Sequence, residues 1–171
     1  MRVGANTMAY IASFDIGSSA IKAVLLDQQG GMHHACSHDY AASEDVPGEQ
    51  SPQLWWDSFN AVLRQWWAQG VLPTSLKVLT FSGQMQDMIA LDERGEVVRP
   101  AVLYMDARAG DQAATALALL GADQVAHITR NPFNGTSVLP KIMHLHDHEP
   151  DHFQRTTRVL VGAKDFIIFR L

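Results

Sequence analysis

A chain of 171 residues is long enough to bury a hydrophobic core, and this length predicts one domain. With 47% hydrophobic and 18% charged residues, the composition excludes an intrinsically disordered chain. The net charge of −5 and the lack of a basic stripe argue against nucleic acid as a partner. No apolar run reaches the ~18 residues that span a membrane. Cys36 is the only cysteine, so no internal disulfide can form, which favours a cytoplasmic location.

After a predicted N-terminal extension at residues 1–7, the stretch YIASFDIGSSAIKAVLLD from Tyr10 to Asp27 predicts two strands joined by a glycine turn. Asp15 ends the first strand, where a carboxylate can hold Mg²⁺ through water. Four further positions suit the oxygens of a phosphate group: Gly17, Ser18, Ser19 and Lys22. An ordinary hairpin is the alternative, and the turn is not a Walker P-loop, because it lacks GxxxxGK[ST] and leads into a strand.

The residues FDIGSSAIKAVLLD resemble the first phosphate loop of the actin-like ATPase superfamily, and specifically that of the FGGY carbohydrate kinases. In that family the aspartate organises Mg-ATP, and the small hydroxyl residues face the phosphates. The resemblance therefore implies ATP and Mg²⁺ as cofactors, with Asp15 holding the metal through water. It also implies an α/β fold of the ribonuclease H-like (actin-like ATPase) class. An antiparallel meander opens the mixed sheet of this fold, and helices cover both of its faces.

The next elements agree with that fold. Met32 to Tyr40 predicts a third strand, which completes the meander, and residues 41–50 predict a loop. Ser51 and Pro52 predict the start of a helix, whose apolar residues recur every three or four positions until Gly70. The strand from Leu76 to Phe81 follows a helix and is therefore expected to lie parallel to its neighbour.

Two later loops are candidate binding sites. The loop from Ser82 to Asp87 follows the carboxyl end of a strand, where ligands of open α/β sheets bind, although a plain turn explains it equally well. A hairpin over 88–98 and a strand at 101–104 come next. Asp106 and Arg108 then follow, and they can bind sugar hydroxyls by charge-assisted hydrogen bonds. They can equally pair with one another or cap the next helix, which is predicted from about Asp106 to Leu120.

The segment TFSGQMQDMIALDERGEVVRPAVLYMDARA is similar to the corresponding part of xylulokinases and their close FGGY relatives. The resemblance implies that five residues lie in or beside a sugar pocket: Met85, Gln86, Tyr104, Asp106 and Arg108. Many xylulokinases carry histidine where this chain has Gln86, and tryptophan where it has Tyr104. Glutamine keeps hydrogen-bonding capacity but does not titrate near neutral pH, so the pentulose assignment stays open.

Residues 137–147, SVLPKIMHLHD, resemble the P-K-φ-φ-W-φ segment of the family signature. On this basis Lys141 is predicted to belong to a structural helix rather than to act in catalysis. His144, His148 and His152 recur every four residues, a spacing that zinc sites use. Because Glu149-Pro150 interrupts the helix and no cysteine joins the set, a metal site is not favoured.

The resemblance covers about residues 8–171, which corresponds only to the front part of such a kinase. We therefore expect residues 8–171 to be an incomplete N-terminal sugar-binding lobe, truncated at its C-terminus. The general-base aspartate is expected downstream of this chain, which would make the chain alone inactive. The implied reaction of the full-length protein converts D-xylulose to D-xylulose 5-phosphate with ATP. Ribulose, erythritol, gluconate and glycerol remain alternative substrates.

Two other classes of function remain alternatives. The chain could be a non-catalytic sugar-binding module, or a non-sugar member of the actin-like superfamily such as a chaperone ATPase. The GQM loop and the D-x-R unit argue against the chaperone. The implied partners are a small-molecule sugar and ATP, with neither nucleic acid nor membrane, and a homodimer is an open alternative.

Overall fold

The computed structural model describes residues 8–40 and 46–171. The predicted extension at 1–7 and half of the predicted loop at 41–50 therefore lie outside the described residues. The strands are β1 (Tyr10–Ile16), β2 (Ala20–Leu26), β3 (Met32–Asp39), β4 (Glu49–Gln50), β5 (Leu76–Gly83), β6 (Met85–Leu91), β7 (Ala101–Val102) and β8 (Arg158–Gly162). The α-helices are α1 (Pro52–Ala68), α2 (Gly110–Leu120), α3 (Ala122–Thr129), α4 (Val138–His148), α5 (Pro150–Arg155) and α6 (Ala163–Arg170).

The chain divides into two compact units. Unit 1 consists of Met1–Ala42 and Gln53–Gly83, and unit 2 consists of Ser43–Pro52 and Gln84–Leu171. Unit 1 contains one sheet of four strands in the order β3-β2-β1-β5, and unit 2 contains another in the order β4-β7-β6-β8. No helix in the described part of the chain is long and apolar enough to cross a membrane.

The sheet of unit 1 confirms the predicted meander. β1 pairs antiparallel with β2, β2 pairs antiparallel with β3, and β5 lies parallel to β1. The connection from β3 to β5 runs through α1, and a helical crossover of this kind permits the parallel pairing. In this register Asp15 lies opposite Lys22 on one side and opposite Ser82 on the other.

Aromatic side chains build the core of unit 1. Phe14 on β1 is 1% exposed, and its ring centroid lies 4.9 Å from that of Phe59 and 5.4 Å from those of Trp66 and Phe81. Phe59 and Trp66 lie on the buried face of α1, as the apolar spacing predicts. The indole of Trp66 donates a hydrogen bond to the His34 carbonyl at 2.8 Å, which satisfies its buried polar group.

Unit 2 is organised around β6. This strand pairs antiparallel with both β7 and β8, and α4 packs against it. The hydrophobic core at this strand is buried, and it includes Met88 and Ala90 of β6 itself together with Val98, Val102 and Leu145. The predicted hairpin turn is confirmed, since the Asp92 amide donates to the Glu96 carbonyl at 2.9 Å.

Four predicted boundaries are wrong, and the contacts of the folded chain accompany each difference. The predicted loop from Ser82 to Asp87 is reduced to Gln84, because β6 begins at Met85 and pairs with β8. The predicted loop at 41–50 contains β4, which pairs with β7. The predicted strand at 101–104 is limited to Ala101–Val102, the two residues that pair with β4.

The helix predicted from about Asp106 begins instead at Gly110. The Asp106 carboxylate accepts a hydrogen bond from the Arg108 amide at 2.9 Å. A local bond of this kind competes with helix formation and keeps residues 106–109 in a turn.

Candidate functional site

The glycine turn between β1 and β2 is held from two directions in unit 1. The Gly17 amide donates to the Ala20 carbonyl at 3.0 Å, which closes the turn. Tyr40, just after β3, donates its amide to the Ser19 carbonyl at 2.9 Å and its hydroxyl to the Gly17 carbonyl at 3.0 Å. Burial raises the pKa of Tyr40, so the phenol keeps the proton that it donates. Tyr40 was not among the predicted site residues, because no local pattern indicates this role.

The five residues predicted to bind Mg-ATP lie on this one turn and its flanking strands. Asp15 is exposed, and its Oδ1 atom accepts a hydrogen bond from the Ser82 hydroxyl at 2.8 Å. Lys22 is also exposed, and among the described residues its ammonium has no ion-pair partner. Both residues line an open depression of about 470 Å³. An accessible carboxylate beside an unpaired ammonium suits a hydrated magnesium ion and a phosphate group.

The backbone of the turn at residues 17–19 can approach a phosphate group closely. A Cβ atom at position 17 would lie 3.1 Å from the Ala20 carbonyl oxygen, so a side chain would crowd the closure of the turn. Ser18 and Ser19 are exposed at the tip, where their hydroxyls and amides can donate to phosphate oxygens. The residues present therefore fit Mg-ATP at its phosphate end.

A second set of predicted residues lies in unit 2, at the start of β6. The side chains of Met85 and Gln86 are exposed, although the next five residues of the strand are buried. Gln86 has a φ of 64°, in the left-handed region that residues with a side chain rarely adopt. The pairing of β6 with β8 shifts register between Met85 and Ile89. Interruptions of strand pairing, β-bulges among them, redirect side chains and are common beside functional sites.

Asp106 and Arg108 pair with one another, as one of the predicted alternatives proposed. Arg108 donates from Nε and Nη2 to the two carboxylate oxygens of Asp106 at 2.9 and 2.8 Å. It donates from Nη1 to Glu49 at 2.6 Å. These bonds raise the pKa of Arg108 and, against the effect of burial, lower that of Asp106, so both groups stay charged. A guanidinium has five N–H groups, which leaves two for a ligand.

Two further residues support the pair of Asp106 and Arg108, and neither was predicted from the sequence. Arg99 is 8% exposed and bridges the carboxylates of Glu49 and Glu149. Gly48 has a φ of 85°, and a Cβ atom there would lie only 2.2 Å from the Asp106 carboxylate. The Pro-Gly-Glu sequence before α1 was interpreted as a loop, and only the contacts of the folded chain reveal that it packs against Asp106.

Beneath the exposed residues lies a buried pair of opposite charges, Asp87 and Lys141. Asp87 is 0% exposed, and its Oδ1 atom accepts a hydrogen bond from the Tyr104 amide at 3.0 Å. Lys141, on α4, is 1% exposed and donates to the carbonyls of Gln86 at 2.9 Å and Leu103 at 2.7 Å. Burial raises the pKa of Asp87 to about 6 and lowers that of Lys141 to about 8. Near neutral pH both groups are therefore ionised.

The shifted pKa of Asp87 predicts a pH-dependent stability. Burial raises this pKa from 3.8 to about 6, so between these values the folded chain keeps a proton that the unfolded chain has released. Asp87 therefore lowers the free energy of unfolding of the wild type as the pH rises through this window. We expect Asp87→Asn to gain stability relative to the wild type between pH 4 and 7. Urea unfolding at several pH values measures the difference.

The exposed residue Asp57 on α1 provides the control for this prediction, because its carboxylate is accessible to water. The stability of Asp57→Asn relative to the wild type should change less over the same pH range. A difference between Asp87→Asn and the wild type that is constant from pH 4 to 7 would contradict the prediction.

The spaced histidines do not form a cluster around a common point. The rings of His144 and His148 stack with their centroids 4.1 Å apart, whereas His152 contacts Glu149 at 2.8 Å. In residues 8–40 and 46–171, no group of three or more histidine, cysteine, aspartate or glutamate side chains could hold a metal ion. Lys141 lies on a helix as predicted, and its carbonyl contacts were not foreseen.

Comparison with known proteins confirms the resemblance. Residues 10–171 match the N-terminal domain of the FGGY family of carbohydrate kinases. The xylulose kinase of Staphylococcus xylosus is 29% identical over 166 residues, which make up 96% of this chain and 34% of that protein. The chain thus spans about a third of the length of the curated relatives that it matches.

Solved structures confirm the predicted actin-like α/β fold. A ligand-bound xylulose kinase from Lactobacillus acidophilus superposes with a TM-score of 0.81 at 25% identity, covering 96% of this chain and 33% of that one. A gluconate kinase from Lactobacillus acidophilus gives the same TM-score, identity and coverage. The fold therefore does not distinguish between these two acceptors.

Proposed function

The chain belongs to the FGGY family of carbohydrate kinases, and we propose that the full-length protein transfers the γ-phosphoryl group of ATP to a sugar hydroxyl. The observation that carries this proposal is the turn at residues 17–19, where accessible Asp15 and Lys22 flank a glycine-serine backbone. Magnesium bound there would neutralise charge on the phosphates. Such positioning and neutralisation account for most of the catalysis of phosphoryl transfer.

In the proposed reaction a sugar hydroxyl oxygen attacks the γ-phosphorus, and the bond to the β-phosphate oxygen breaks to release ADP. Asp15 would hold the magnesium ion through water, and Ser18, Ser19 and Lys22 would hold the phosphates. Neither Asp87, which is buried, nor Asp106, which is paired with Arg108, suits the role of general base. We assign the proton to an aspartate downstream of residue 171, so the isolated chain is expected to be inactive.

The proposed acceptor is a ketopentose, and D-xylulose is favoured. Gln86 can exchange hydrogen bonds with hydroxyls, and Arg108 keeps two N–H groups that its contacts with Asp106 and Glu49 do not use. The similarity to xylulose kinases at 29% identity supports a pentulose. Gluconate is the second candidate, because its carboxylate would suit the same guanidinium. We propose a cytoplasmic location for the reaction, which the single cysteine and the proposed use of ATP favour.

Release of ADP tests the proposal. We expect the full-length protein to release ADP from Mg-ATP faster with D-xylulose than without sugar. Release with D-xylulose should also be faster than release with ribulose, gluconate, erythritol or glycerol. The 171-residue chain is the matched control and should release none. Sugar-dependent release by this chain would place a general base within it. Binding of a pentulose in calorimetry, without turnover by the full-length protein, would instead favour a non-catalytic sugar-binding module.

A further inference from the structure

Lys141 is a buried cation that has no role in the proposed reaction. Its side chain is 1% exposed, and lysine is almost never fully buried unless its charge is compensated. Methionine or leucine would fill a similar volume without the cost of removing a charge from water. The contacts of the ammonium group therefore indicate what it contributes.

The ammonium joins two segments that are distant in sequence. It donates to the carbonyl of Gln86, 55 residues away, and to that of Leu103, 38 residues away. Both carbonyls belong to stretches that carry residues of the sugar-binding set. Asp87 and Asp106 stabilise the charge electrostatically. One side chain on α4 thus fixes two separate backbone segments.

The first segment needs such support. Gln86 has a φ of 64°, and a left-handed backbone at a residue with a side chain persists only where its surroundings hold it. Its carbonyl receives the Lys141 hydrogen bond at 2.9 Å. The register shift between Met85 and Ile89 exposes the Met85 and Gln86 side chains at this point. The Lys141 bond therefore stabilises the conformation that exposes them.

The second segment is tied to the same point. The Leu103 carbonyl accepts from Lys141 at 2.7 Å and from the Asp106 amide at 3.0 Å. The Tyr104 amide donates to the Asp87 carboxylate at 3.0 Å. Asp87 follows Gln86 directly, so Lys141 and Asp87 link the two segments side by side. This link lies at the start of the turn that carries Tyr104 and Asp106.

We propose that Lys141 is a positioning residue for sugar recognition, holding the backbone at Gln86 and Leu103 so that the adjacent side chains meet the sugar. The inference rests on the proposed function, because it assigns the sugar to these side chains. Lys141 itself is too deeply buried to touch a sugar. Its removal should therefore affect sugar binding through the backbone and leave nucleotide binding intact.

The test is Lys141→Met in the full-length protein, which keeps an unbranched side chain as far as Cε and removes the ammonium. We expect the KM for the sugar to rise at least tenfold, with the KM for Mg-ATP within twofold of the wild-type value. Amide hydrogen exchange should become faster in peptides covering residues 84–88 and 102–106. The control is Lys77→Met, because Lys77 also donates to a backbone carbonyl, that of Thr74 at 2.7 Å, but on an exposed surface. It should change none of these values.

Unchanged exchange in both segments would overturn the proposal. So would a sugar KM within twofold of the wild type, even with a lower melting temperature, because that result indicates a merely structural lysine. If Lys141→Met does not fold, Lys141→Gln replaces it under the same criteria. Glutamine has a shorter side chain that ends in a neutral polar group. A wild-type protein that phosphorylates no sugar would refute the proposed function instead, and the exchange data would still decide whether Lys141 holds the two segments.

Discussion

In the full-length protein, Asp15→Asn is expected to lower kcat by about 10²–10³-fold while the KM for the sugar stays within about twofold. Asparagine keeps the shape of the side chain and an oxygen that can accept the Ser82 hydrogen bond. It removes the negative charge that would orient the water ligands of magnesium. Steady-state kinetics with the sugar and Mg-ATP varied separately measure the effect.

Ser82→Ala provides a graded comparison for this prediction. It removes the hydroxyl that donates to Asp15 Oδ1 at 2.8 Å but leaves the carboxylate in place. Its effect on kcat should therefore be much smaller than that of Asp15→Asn. If Asp15→Asn abolished sugar affinity while turnover persisted, the assignment of Asp15 to the phosphate end of the reaction would be wrong.

Local sequence signals predict the elements that depend on neighbouring residues. The turn after Asp15 follows from its glycine and serines, and α1 follows from Pro52 and the spacing of its aromatic residues. The parallel pairing of β5 with β1 follows from topology, because a helix connects β3 to β5. Neighbouring residues thus specify the turn and α1, whereas the pairing of β5 with β1 follows from a general rule of strand connection.

Contacts between distant residues determine the features that the sequence did not reveal. Glu49 and Arg108 are 59 residues apart, and nothing near either residue indicates their ion pair. The hydrogen bond from Lys141 to the Gln86 carbonyl spans 55 residues. Its one sign in the sequence is a lysine at a buried position of α4. The start of α2 was misplaced for a local reason. The sequence around Asp106 fits either a helix cap or a turn in which the Asp106 carboxylate accepts from the Arg108 amide, and the structure has the turn. The side chains predicted to meet the sugar were therefore identified by resemblance, whereas their supporting residues required the folded chain.

The largest expected loss of stability follows from Phe14→Ala, which should lower the free energy of unfolding by about 3–5 kcal/mol. Phe14 is 1% exposed and packs on the rings of Phe59, Trp66 and Phe81. Truncation removes the transfer free energy of the ring, leaves a cavity, and eliminates aromatic contacts worth about 0.5–1.5 kcal/mol each. Urea unfolding followed by tryptophan fluorescence measures the loss in unit 1, because all four tryptophans lie in α1.

Ile11→Ala on the same strand is the matched control, since Ile11 is 39% exposed and its truncation leaves no enclosed cavity. It should cost about 1 kcal/mol or less, and Phe14→Leu should lie between the two alanine variants. Equal losses for Phe14→Ala and Ile11→Ala would contradict the assignment of the core to the Phe14 face of β1. The difference also bears on the reaction, because Phe14 immediately precedes Asp15. Burial of its ring against α1 fixes the strand from which the carboxylate projects to the opposite face.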